Sequence, residues 1–264
     1  MNMSPMKTKI ALIAAALCAL SLHAKKVEET TTHIIPQENI TSLEVSNVNG
    51  SINCIGWDKS EIDITYTKRV KASSQEDAKE YLDKILVEVT KGDGKIVIKT
   101  KYPQKKNLAF WNWFENKSGS VSYDIHVPAS LTIVANTVNG SVGIEGIAGK
   151  VYSNSVNGRL EAKELGSPAK MSTVNGSIVC RFAEDCTVQE MEFSSVNGSI
   201  KTYVPESIGC SLSVKTVNGS IKTDLAISNL ETQKRNRLKC DINGGGPLLR
   251  FSTVNGSVRI SKSS

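Results

Sequence analysis

Residues able to carry out chemistry are sparse in this sequence. It has three histidines in 264 residues. One of them, His23, lies in a stretch that reads as a leader, which leaves His33 in a polar segment and His126 in a strand ending at Pro128. No Cys-x-x-Cys pair occurs, so neither a zinc ribbon nor a thioredoxin-like centre is indicated. Charge is mild: the formal balance is +6, and Lys7 and Lys9 of the leader account for two of it. So small a balance argues against nucleic acid as the partner, because that binding requires clustered phosphate contacts. Beyond the N-terminus no apolar run reaches membrane-spanning length. Aromatics number only fourteen. What remains is ordinary globular composition, 39% apolar and 22% charged, in a chain long enough to bury a genuine core.

Lys7 and Lys9 precede an apolar run from Ile10 to Leu22. That run suits a signal-peptide core and falls short of the roughly 20 residues of a membrane span. Residues 1–24 therefore read as a signal peptide cleaved after Ala24 or after Ser21, and the protein as exported to the periplasm, the outer-membrane surface or the medium. Cys18 would be the lipidation site of a lipoprotein, but Leu17 stands where a small residue is needed. Residues 25–40 are polar and read as a tether. Residues 41–130 read as an N-terminal β part continuous with residues 131–264, the two forming one domain. Within it, Ser74 and Asp77 resemble a capping box, and Ala78, Leu82 and Ile85 recur at helical spacing, which predicts a helix over 75–86 that plugs an edge or end of the β-structure. Val87 and Val89, then Gly92-Asp93-Gly94, then Ile96 and Ile98 predict a hairpin.

One word governs the rest. Val48-Asn49-Gly50-Ser51-Ile52 returns, intact or slightly altered, at Val138, Val156, Val174, Val196, Val217 and Val254. From Gly140 the glycines are spaced by 18, 18, 22, 21 and 37 residues, and Ile242-Asn243-Gly244 in the last interval is a degenerate copy. Five residues before each glycine stand Val45, Ala135, Ser153, Met171, Phe193, Val214 and Phe251. Two after it stand Ile52, Val142, Leu160, Ile178, Ile200, Ile221 and Val258. Both positions must face a core. An antiparallel β-sandwich of hairpins would make Asn-Gly a tight turn and leave each preceding valine outside, forgoing roughly 1.5 to 3 kcal/mol of burial per copy. A β-solenoid would make Asn-Gly a corner, turn the valine inward and stack each coil on the last about 4.8 Å away, identical residue on identical residue, asparagine on asparagine. The solenoid is the expected fold and the sandwich the alternative. The Asn-Gly-Ser words also match the N-glycosylation pattern, which the corner itself explains.

Three groups of residues lie outside the word. Phe110, Trp111, Trp113 and Phe114 crowd a loop-like stretch, 107–118, and are either a cap on the core or an exposed contact patch. Lys234, Arg235, Arg237 and Lys239 form a basic run, either a solvated loop or a site for anionic glycans or head groups. Without Cys18 five cysteines remain. Cys54 and Cys180 share one frame position, four after glycine, and suit core filling, while Cys180 and Cys186 are the candidate pair for a disulfide. At the position three after glycine, Asn53, Gly143, Glu161, Val179, Lys201, Lys222 and Arg259 form a mixed row with no repeated acid and base, unlike the stacked catalytic groups a polysaccharide lyase needs.

The order of these features resembles the bacterial putative-adhesin family, exported β-repeat domains of unknown function. The resemblance runs from the first word through Gly56-Trp57-Asp58, the Ser74-to-Ala78 helix start and Val127-Pro128-Ala129 to Gly244-Gly245-Gly246-Pro247 before the last word. It implies a right-handed β-helix-like domain and brings no catalytic residues. The expectation is a non-enzymatic exported module, an adhesin or envelope scaffold, with no cofactor or metal and with a protein or glycan of the cell envelope as partner. The alternative is a glycan-binding or carbohydrate-active protein that uses Trp111 and Trp113.

Overall fold

The structure is a computed structural model and describes residues 21–23, 26–103, 117–166, 168–186 and 190–263. It is all-β with one helix, arranged as two eleven-stranded mixed sheets facing each other across a common core. In chain order the N-terminal part contributes β1 (Ser21–His23), β2 (Lys26–Pro36), β3 (Ser42–Ser46), β4 (Ile52–Trp57), β5 (Glu61–Lys71), α1 (Gln75–Asp83), β6 (Leu86–Gly92), β7 (Lys95–Lys101) and β8 (Ser118–Pro128).

Residues 26–36, read from their polarity as part of a tether, are instead the strand β2. It pairs antiparallel with β5 along its whole length. Its threonines hold it where apolar alternation is weak: Thr30 and Thr32 meet Thr67 and Thr65, each hydroxyl pair 2.9 Å apart. Only Val27 and Ile35 reach the core. Such cross-strand hydroxyl pairs stabilise a sheet face without the hydrophobic period that makes a strand visible in sequence. The short β1, inside the stretch read as leader, pairs antiparallel with the start of β2.

The helix begins as the capping pattern predicts, with Ser74 Oγ accepting from Asp77 N at 3.1 Å. It ends at Asp83 rather than 86, because Leu86 already opens β6. Ala78, Tyr81 and Leu82 join the core, and α1 packs on β5 and β2. The predicted hairpin is β6–β7, antiparallel with Gly92 opposite Lys95. Asp93 and Gly94 between them adopt φ of 50° and 71°, the left-handed pair of a tight two-residue turn.

The repeats contribute strands in twos, one on each side of a word: β9 (Thr132–Asn139) and β10 (Val142–Glu145), β11 (Val151–Asn157) and β12 (Leu160–Leu165), β13 (Ala169–Asn175) and β14 (Ile178–Phe182), β15 (Met191–Asn197) and β16 (Ile200–Val204), and β17 (Cys210–Asn218) and β18 (Ile221–Thr223). A hairpin, β19 (Ile227–Lys234) and β20 (Arg237–Ile242), precedes the last two, β21 (Leu248–Asn255) and β22 (Val258–Lys262). The first strand of each two lies in one sheet and the second in the other. The sheet orders are β19-β20-β17-β21-β15-β13-β11-β9-β3-β7-β6 and β1-β2-β5-β8-β4-β10-β12-β14-β16-β22-β18. Each sheet keeps two edges, so no barrel closes. The layering is that of a sandwich, but the strands flanking a word pair with the matching strands of neighbouring copies, parallel and in register: Ile52, Val142, Leu160, Ile178, Ile200 and Val258 stand side by side.

Both expected core positions are buried in every copy, with Ile221 at the last rung half-buried. Three expectations fail. The valine before Asn-Gly does not turn inward: the seven are 38–63% exposed, because strand alternation continues through the valine and the chain bends only after it. The copies do not stack in chain order. The last word lies between those of Gly198 and Gly219, since β21 separates β15 from β17 and β22 separates β16 from β18. Ile242-Asn243-Gly244 is no coil but the turn after an antiparallel strand, with φ of 49° at Asn243 and 86° at Gly244.

Candidate functional site

The word itself is consumed by stacking. A Cβ on Gly140, Gly158, Gly176, Gly198, Gly219 or Gly256 would come within 3.0 Å of the carbonyl oxygen of the glycine on the neighbouring copy. Glycine is therefore required by the close approach of backbones more than by a turn angle; only Gly50 among the seven has positive φ, 120°. Three residues before each glycine stands a buried hydroxyl, which sequence reasoning missed although the position is always Ser or Thr apart from Asn47. Ser155, Thr173, Ser195, Thr253 and Thr216 each donate to a glycine carbonyl of the adjacent copy at 2.8–3.1 Å. Asn47 reaches Val121 O at 2.7 Å in the same way. Outside them the word asparagines form one ladder, Asn218→Asn255→Asn197→Asn175→Asn157→Asn139→Asn49, each Nδ2 donating to the next Oδ1 at 2.7–2.9 Å.

The residues left to meet a partner are those on the outer faces. The basic run lies on the hairpin β19–β20. Lys234 and Arg237 face each other across it, and Arg237 in turn stands opposite Lys215 of β17. Lys234, Arg237 and Lys215 thus form a straight exposed row across three adjacent strands, with Arg235 exposed in the turn. Lys239, counted in the same run, differs: it is half-buried and its Nζ is 3.0 Å from Glu231 Oε1. Of the four sequence candidates Lys234, Arg235 and Arg237 are thus exposed beside Lys215, while Lys239 is paired with Glu231. Lys215 was legible in principle. Its frame position, four before glycine, otherwise carries Ser46, Asn136, Asn154, Ser172, Ser194 and Ser252, so it is the charged member of a small polar row.

The other candidates do not assemble with it. Phe110, Trp111, Trp113 and Phe114 lie outside the described residues. Cys180 and Cys186 are both free thiols rather than a disulfide. Cys180 points into the core at its frame position, where burial pushes its thiol well up, while Cys186 is half-buried beyond Phe182. Burial, with a smaller contribution from Asp124, pushes Cys54 up to about 12. Buried thiols with raised pKa are poor nucleophiles and metal ligands. His126 stacks on Trp57 with centroids 5.2 Å apart, and His33 stacks on Tyr66 at 5.8 Å, its pKa lowered by burial. Among the described residues no group of three or more His, Cys, Asp or Glu is placed to hold a metal ion. No helix among them is long and apolar enough to cross a membrane. A shallow depression of about 190 Å³ lies between Glu184, Cys186, Ile208 and Pro247; it holds no acid and base at hydrogen-bonding distance.

No family model matches this chain, and no curated protein does. Among solved structures, the chain is similar to a putative cell adhesion protein from Clostridium sporogenes at 12% identity and a TM-score of 0.47, over 89% of this chain and 100% of that one. It is also similar to a putative adhesin from Bacteroides fragilis at 12% identity and a TM-score of 0.33, over 89% and 97%. A putative lipid binding protein from Parabacteroides distasonis aligns at 12% identity and a TM-score of 0.29, over the same shares of the two chains.

Proposed function

We propose that the protein is an exported, right-handed β-solenoid that acts as an adhesin-type interaction module of the cell envelope and catalyses no reaction. The parallel, in-register pairing of successive words on two sheets supports the solenoid. Its hand rests on the strong right-handed preference of crossovers between parallel strands of one sheet. Export rests on the leader-like residues 1–24.

The observation that carries the interaction role is the row Lys215, Arg237 and Lys234. Like charges placed directly opposite each other on neighbouring strands destabilise a sheet, and the carboxylate nearest in the hairpin, Glu231, is taken by Lys239. A row kept at that cost meets its counter-charge on another molecule, so the partner presents an anionic surface.

The test uses the full chain and isolated cell envelopes. Wild type binds them saturably and less tightly as salt rises. The triple variant Lys215→Gln, Lys234→Gln, Arg237→Gln binds roughly tenfold more weakly with its urea midpoint unchanged or higher. Equal binding by that variant overturns the role assigned to the row. Recovery of the native protein from the cytosol with residues 1–24 still attached overturns export.

A further inference from the structure

A second cationic row lies on the opposite sheet, at the end of the row of residues three after glycine that reads in the sequence as mixed. Three residues after their glycines, Lys201 on β16, Arg259 on β22 and Lys222 on β18 are register partners, Lys201 opposite Arg259 and Arg259 opposite Lys222. All three are exposed. Their backbones follow the stack at about 4.8 Å per strand, so the charges form a single file parallel to its axis. Arg181 on β14 extends the positive face; its guanidinium lies 4.1 Å from the centroid of the Tyr203 ring.

Among the described residues no carboxylate forms an ion pair with Lys201, Arg259 or Lys222. The nearby carboxylates are engaged elsewhere: Asp224 accepts from the backbone N of Lys262 at 2.9 Å, Glu206 pairs with the Lys262 ammonium, and Glu161 lies 3.3 Å from Arg159. Beside the cations, one residue after the glycines, runs a column of serines, Ser177, Ser199, Ser257 and Ser220, with Ser257 and Ser220 hydroxyls 3.2 Å apart. Among the described residues, no large exposed apolar side chain stands on β14, β16, β22 or β18.

From this arrangement we infer that the face formed by Lys201, Arg259 and Lys222 is a binding site for a linear acidic polysaccharide lying along the stack. The cations neutralise successive anionic groups of one chain, and the serine hydroxyls hydrogen-bond the sugar hydroxyls between them. A membrane surface fits less well, because peripheral attachment adds apolar side chains to basic ones and this row is one residue wide and bare of them. The inference rests on the protein being an interaction module, and it adds a second site and a class of ligand.

Titration of the full chain with polygalacturonate, which carries one carboxylate per sugar, tests it. Binding is expected at low salt, weakening about tenfold or more at moderate salt, with none to neutral dextran. The variant Lys201→Gln, Arg259→Gln, Lys222→Gln weakens binding at least about tenfold, whereas the triple variant of Lys215, Arg237 and Lys234 changes it less than about twofold. Lys222→Glu separates folding from binding: it places a carboxylate opposite Arg259, so it keeps or raises the urea midpoint while weakening binding as far as the triple variant does. The site is overturned by undiminished binding of the sheet variant, by absence of binding to polygalacturonate, or by equal binding to dextran. It is also overturned by binding to phosphatidylglycerol vesicles without binding to polygalacturonate. A chain that binds polygalacturonate but not envelopes keeps this site and loses the envelope role; the converse loses the site alone.

Discussion

The N-terminal and repeat parts of this molecule build sheets on different principles. In β2, β5 and β8 each contact is particular: threonine meets threonine, Glu28 sits between Arg69 at 2.5 Å and Lys26 at 2.6 Å, and strands run antiparallel. In the repeats the word makes the same contacts again, glycine on glycine and asparagine on asparagine, with its flanking strands parallel. Particular contacts tolerate change one pair at a time. Repeated contacts depend on every copy keeping the same shape, because a side chain at the glycine position displaces a whole neighbouring strand.

The largest test of this contrast is a methyl group. Gly176→Ala puts a Cβ into the Gly158 carbonyl and is expected to cost about 3 kcal/mol or more. Gly92→Ala in β6, where a Cβ meets nothing within 4 Å, is expected to stay within about 0.5 kcal/mol of wild type. Urea midpoints measure both, and equal losses would break the comparison. Next in size is the asparagine ladder. Asn175→Ala removes a donor to Asn157 and an acceptor for Asn197 and should cost about 2 kcal/mol, while Asn218→Ala at the ladder end, losing one bond, should cost about half as much. If the two cost the same, the ladder is a set of independent surface contacts.

Smaller effects sharpen the contrast. Thr202 occupies a core column between Cys180 and Ile260, and its buried hydroxyl has no hydrogen-bond partner among the described residues. Thr202→Val should therefore raise stability by about 1 kcal/mol. Thr30→Val in β2, which breaks the hydroxyl pair with Thr67, should lower it by about 0.5 kcal/mol. Calorimetric melting points with opposite signs are the expected readout. The last test is pH. Hydrogen bonds first from Arg69 and then from Lys26 hold the Glu28 carboxyl down from 4.5 to about 2. A pKa lower in the folded state means that the stabilisation is present above pH 4.5 and is lost as pH falls through about 2. Amide exchange in β2 should accelerate across that window in wild type and lose this step in Glu28→Gln. An unchanged step in the variant would place the acid sensitivity elsewhere.

Legibility followed the same division. The two inward columns of the word, Val45 to Phe251 and Ile52 to Val258, were readable because burial has a fixed phase within a strand. The helix start was readable from Ser74, and the β6–β7 turn from Asp93 and Gly94, because capping and left-handed backbone are local properties. β2 was not, since its threonines are polar and their partners lie 33 and 37 residues away. Of the basic site, the run Lys234, Arg235 and Arg237 was visible as composition. Lys215 was visible only as the one charge in a small polar row, and its place opposite Arg237 was not, because that depends on a hairpin folding back beside β17.

By itself the sequence determined the unit: a strand, a corner that only glycine permits, a second strand, and columns of asparagine and hydroxyl residues that match any other copy. Tertiary structure alone decided how those units are arranged. Because every word offers the same columns, separation along the chain carries no information about which copies become neighbours, and the final word fits between two earlier ones as well as it would fit at the end. The valine shows the same limit at the scale of one residue. Its apolarity argued for burial, but the point at which the chain bends lies after it, and that placed seven valines on the outside.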